Sequence, residues 1–149
     1  MTIDCEQPGS EHRRPEGTSD DTVAALGKLS EALETVERAR GQLYSFHQLI
    51  GHADLQLGEA VDALREAGHA EVADRLRSEL VGRNVLAGRW TFQVVEEFDD
   101  SYWTVFRDQE RAARGELAGG RRHLFEAEMK EERRTHGRPG HESRPSEGE

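Results

Sequence analysis

Tyr44, His47, His52 and Asp54 crowd one short stretch of the chain, and Arg83, Asn84 and Thr91 follow downstream. Histidines and carboxylates on facing helices are what a helical bundle uses to hold a metal ion, and di-iron bundles need two Glu-x-x-His pairs. This chain has one, Glu66-Ala67-Gly68-His69, where the chain is expected to turn. His47 and His52 stand five residues apart, on different faces of a helix. The polar residues fit a plainer role. Arg40, His47 and Asp54 occupy slots in an otherwise apolar stripe, and buried polar seam residues fix the register of paired helices.

Other reactive types are scattered. His123 and Glu126 lie one turn apart, and His136 and His141 follow among flexible residues, a pattern of solvated surface. Arg121-Arg122 and Arg133-Arg134 are interleaved with Glu126, Glu128, Glu131 and Glu132. Glu96, Glu97, Asp99, Asp100, Asp108 and Glu110 make an acidic run that reads as a solvated helix flank. There is no Gly-rich phosphate loop and no Ser nucleophile elbow. Cys5, the lone cysteine, excludes an internal disulfide and a Cys-based zinc cage. No catalytic residue and no cofactor is assigned.

These residues are positioned by a stripe that steps three and four residues at a time: Leu26, Leu29, Leu33, Val36, Leu43, Ile50, Leu57, Val61 and Leu64. That period predicts an amphipathic helix, helix A, over about 21–67, with N-cap candidates from Ser19 to Thr22 ahead of it. Gly68 suits the helix end. A second series, Ala73, Leu76, Leu80, Ala87, Thr91, Val95, Phe98, Tyr102 and Val105, predicts helix B over about 70–118. Gly51 is a possible breakpoint of helix A and Gly88 of helix B, which would give four shorter helices. The 1–19 leader and the 136–149 tail read as disordered, and 119–135 as a short C-terminal helix. The fold class is all-α: a long, coiled-coil-like antiparallel helical hairpin over 20–118, which two copies would complete to a four-helix bundle.

A turn centred on Gly68 and His69 sets the facing positions. Leu57 meets Leu80, Asp54 faces Arg83 and Asn84, Arg40 faces Glu96 and Glu97, and Gly51 comes opposite Ala87 and Gly88. Leu49, Leu55, Leu86, Trp90, Phe92 and Trp103 fall off the seams. A two-helix hairpin has a single internal face, so these six are the expected interface with a partner.

The net charge of −10 repels phosphate backbones, so nucleic acid is not an expected partner. Hydrophobic and charged residues each make 34% of the chain, mean hydropathy is −0.84, and no run approaches a membrane span. The leader has no apolar core for a signal peptide, which predicts a cytoplasmic protein. Of the 20 basic residues only Lys28 and Lys130 are lysines, a bias of genome composition rather than of chemistry.

Residues 88–103 together with 119–142 (GGRRHLFEAEMKEERRTHGRPGHE) resemble uncharacterised actinobacterial all-helical proteins. That resemblance implies a helical fold and no activity. The function expected is a non-enzymatic interaction or assembly protein that pairs with itself or with another helical protein. The alternatives are a ferritin-like or hemerythrin-like metal-binding bundle using His47, His52 and Asp54, and an adaptor or chaperone for one partner protein.

Overall fold

The computed structural model describes residues 7–144. It is all-α: α1 (Asp20–Glu66), α2 (Ala70–Glu79), α3 (Thr91–Phe98), a π-helical turn (Asp99–Trp103), α4 (Thr104–Ala118) and α5 (Leu124–Arg133), with a 3-10 turn at Ser10–His12. Cys5 lies outside the described residues. Backbone contacts divide the chain into two compact units, one of Met1–Thr35 with Phe106–Glu149, the other of Val36–Val105.

Helix α1 starts where its cap dictates. The Ser19 hydroxyl accepts from the Thr22 backbone N–H at 3.1 Å, and Asp20 and Asp21 supply negative charge to the first turn. It ends at Gly68, whose φ of +92° lets the His69 N–H reach back to the Leu64 carbonyl at 2.9 Å. Gly51 does not interrupt it.

In the Val36–Val105 unit the second half of α1 runs antiparallel to α2 and α3. Arg65 pairs with Asp74 and Arg77 with Asp62, so the turn is centred between His69 and Ala70, one residue later than expected. The expected continuous helix B is interrupted: α2 ends at Glu79 and α3 begins only at Thr91. Gly82 and Gly88 take positive φ in the intervening loop, and Leu86 and Arg89 exchange backbone hydrogen bonds around the tight turn at Gly88. The seven-residue gap in the apolar series between Leu80 and Ala87 was the trace of this break. Helix α3 restarts with the Gln93 side chain accepting from the Trp90 N–H at 2.9 Å.

In the other unit Val23, Ala118 and Leu124 form a small core, with Leu26 against it. Phe125 of α5 lies against Gly27 so closely that an added Cβ would sit 3.0 Å from its ring. Described residues of the leader and tail make polar contacts with the rest of their unit. Arg14 bonds Glu128 at 2.8 Å and Asp20 at 2.6 Å, and Arg121 donates to the Arg13 carbonyl. Arg134 is buried against Glu131 and donates to the His141 carbonyl. These ties are polar, so apolar periodicity carries no sign of them. Glu110, expected on a solvated flank, is also buried, gripped by Arg114 one turn on.

Candidate functional site

The polar seam residues are brought together, but with partners other than those the sequence suggested. Arg40 holds Asp99, not Glu96 or Glu97, through hydrogen bonds of 2.7 and 3.0 Å. The break in helix B is the reason: with α2 ending at Glu79 and α3 starting at Thr91, the partners shift unevenly, two residues past Glu97 at Arg40 but one residue short of Arg83 at Asp54. The guanidinium also lies 4.2 Å over the Trp103 ring and 5.7 Å from that of Tyr44. The hydrogen bond from Arg40 pulls the Asp99 carboxyl below its usual range, burial opposing, and the same bond raises Arg40. Trp103, expected at an outer interface, is thus half-buried beneath Arg40. The π-helical turn, stitched by the Thr104 N–H donating to the Asp99 carbonyl, presents both Asp99 and Trp103 to that one guanidinium.

One step along, His47 shares a 2.6 Å hydrogen bond with the Thr91 hydroxyl and meets the Tyr44 ring edge-on at 5.9 Å. Asp54 accepts from the Gly82 backbone N–H at 2.8 Å, which anchors the loop after α2 to α1. Arg83, its expected partner, instead turns back to the Glu79 carbonyl, and Asn84 is exposed. His52 points away from this ladder as an exposed residue. Among the described residues no three His, Cys, Asp or Glu side chains are grouped to hold a metal.

Beside this ladder the 80–90 loop leaves an open groove of about 630 Å³ against the middle of α1. Ile50, Leu57, Leu80, Val85 and Trp90 give it apolar walls, with Gly51 and Ala53 on the α1 side. Gly51 was expected to permit close backbone packing against Ala87 and Gly88. Nothing lies within 4 Å of a Cβ built there, so its missing side chain widens the groove instead. Leu57 and Leu80 do line a common surface, but they line the groove with Leu80 47% exposed, not a closed seam. The cause lies in the interrupted helix, whose loop cannot present a continuous apolar stripe. Sequence reasoning therefore missed Ile50, Leu57, Leu80 and Val85 as site residues; Gly82 and Gly88 flanking RNVLA were the available signal.

The six off-seam residues divide unequally. Leu49, Leu55, Leu86, Trp90 and Phe92 are exposed, from 39% for Phe92 to 70% for Leu55, and Trp103 is not. The Trp90 and Phe92 rings meet edge-on at 5.2 Å, a rigid aromatic pair at the groove's rim. No protein-family model, curated protein or solved structure matches this chain. What the surface can do therefore follows from its own chemistry. Its ionisable lining is one acid, Asp54, and one base, Arg83, and its hydroxyl, Thr91, is engaged by His47. The rest of the lining is mainly apolar.

Within Val36–Val105 the apolar side chains that are fully buried are Val61, Ala73 and Val95, while eleven large ones are exposed. Single exposed apolar residues need no explanation, but here an aromatic pair stands beside an apolar groove. No helix among the described residues is long and apolar enough to cross a membrane.

Proposed function

We propose that this protein is a non-enzymatic assembly module that pairs with a second copy of itself through the groove face of the Val36–Val105 unit, in the cytoplasm. The observation that carries the reading is the combination of an apolar groove and an exposed aromatic pair on one patch. A two-fold interface uses the same patch on both copies, so it needs a hollow and a projection side by side. The groove's near-neutral lining also suits a like partner. Two copies of a chain with a net charge of −10 repel one another elsewhere, but not where one acid and one base line each face.

Sedimentation equilibrium tests this directly. The full chain at micromolar concentration is expected to sediment as a dimer or larger, and Trp90→Glu to shift it toward monomer. A monomer throughout that range would overturn self-assembly and leave a heterologous helical partner as the occupant of the groove.

A further inference from the structure

A second cavity lies wholly within the other unit, and its chemistry is opposite. Arg107, Arg111, Arg114 and Arg122 line a pocket of about 180 Å³ whose carboxylates are Glu34 and Glu110. We propose that it binds a small phosphate-type anion, and that this site is independent of self-association.

The charge count comes first. The chain as a whole carries −10, yet with Arg114 paired to Glu110, and leaving aside Arg107, which has a partner of its own, Arg111 and Arg122 against Glu34 leave this pocket one positive charge in excess. Glu110 spends both of its oxygens on Arg114, at 3.0 and 3.3 Å, and Arg114 donates a further bond to the Gly120 carbonyl at 2.7 Å. That pair is nearly buried, with side-chain exposures of 10% and 13%, so it forms a fixed wall. Glu110 is thereby committed to Arg114, which leaves Glu34 as the other lining carboxylate beside Arg111 and Arg122.

Placement follows from α4. Arg107, Arg111 and Arg114 recur at helical spacing and face one side, and Arg122 comes from the link between α4 and α5. Guanidinium forks match phosphate oxygens in pairs, which favours phosphate over a halide. The Ser30 hydroxyl, also in the lining, adds a neutral donor.

Size narrows the ligand. The open pocket of about 180 Å³ admits orthophosphate or pyrophosphate. The net charge of the chain disfavours extended polyanions.

The test uses the full chain and two soluble probes, inorganic phosphate and pyrophosphate, each titrated at constant ionic strength and followed by amide chemical shifts. Saturable shifts confined to Ser30, Arg111 and the 120–124 segment are expected, with a rise in Tm. Arg111 and Arg122 are exposed, so Arg111→Gln/Arg122→Gln should fold normally and bind at least tenfold more weakly, while Arg75→Gln should bind as the parent does. Unsaturable shifts, or undiminished affinity in the double variant, would overturn the proposal. A parallel arm uses phosphatidylcholine vesicles containing phosphatidic acid. Binding to those vesicles without binding to free phosphate would overturn the assignment to a soluble anion.

Discussion

Arg40 grips Asp99 with two parallel hydrogen bonds of 2.7 and 3.0 Å while its guanidinium covers the Trp103 ring at 4.2 Å. Three favourable contacts thus converge on one side chain of α1, and they tie it to the π-helical turn. The two side chains retain exposures of 27% and 21%, which puts the pair between a surface ion pair and a buried one.

Arg40→Ala should therefore destabilise the chain by about 1–3 kcal/mol, above the 0–1 of surface pairs and below the 3–5 of fully buried ones. Arg40→Lys should recover only part of the loss, since an ammonium cannot make the parallel pair or stack on Trp103. Urea unfolding of Arg40→Ala, Asp99→Ala and the double variant measures the coupling. A coupling near zero would show the contact to be energetically idle.

Acid should weaken the fold through two carboxylates. Asp99 is held below its usual range first by the hydrogen bond from Arg40, and Glu131 first by that from Arg134. With the native value below the unfolded one, the unfolded chain takes up the proton first as pH falls. Stability from these groups is complete above about pH 5 and drains away from about pH 4 downward. Thermal melts across that range should show a shallower acid limb in Asp99→Asn. A limb of unchanged steepness would remove Asp99 as a contributor.

Asp54 offers a contrast to Asp108. The carboxylate of Asp54 accepts the Gly82 N–H at 2.8 Å, whereas Asp108 is exposed on α4. Asp54→Ala should cost about 1–2 kcal/mol as a lost charge-assisted bond, and Asp108→Ala within about 0.5. Asp54→Asn keeps an acceptor and should lie between. A double-mutant cycle of Asp54 with Arg83 should give no coupling, because Arg83 bonds the Glu79 carbonyl instead. Coupling above about 0.5 kcal/mol would restore the direct pair.

Two glycines of α1 should respond oppositely to alanine. Nothing lies within 4 Å of a Cβ at Gly41, so Gly41→Ala should gain about 1 kcal/mol of helix propensity. At Gly27 the new methyl meets the Cβ and Cγ of Phe125 at 3.0 Å, and displacing that ring should cancel the gain or reverse it. Chemical denaturation of both variants decides this, and equal gains would mean that Phe125 yields freely.

The apolar period by itself determined the all-α class, the length of α1, its Ser19 cap, its Gly68 stop and the antiparallel sense of its partner. These are local properties: spacing selects a helix face, and terminal residues satisfy the backbone groups a helix leaves open. Tertiary structure decided which side chains meet. The break between α2 and α3 placed Asp99 rather than Glu96 or Glu97 beneath Arg40, and no local pattern specifies how many residues such a break takes up. The loop from Leu80 to Trp90 opened a groove where a continuous stripe had predicted a closed seam. Described leader residues meet the rest of their unit through arginines bonded to distant carbonyls and carboxylates, as Arg121 is to Arg13 and Arg14 to Glu128. A backbone carbonyl has no residue type, so sequence carries no mark of the arginine that will find it.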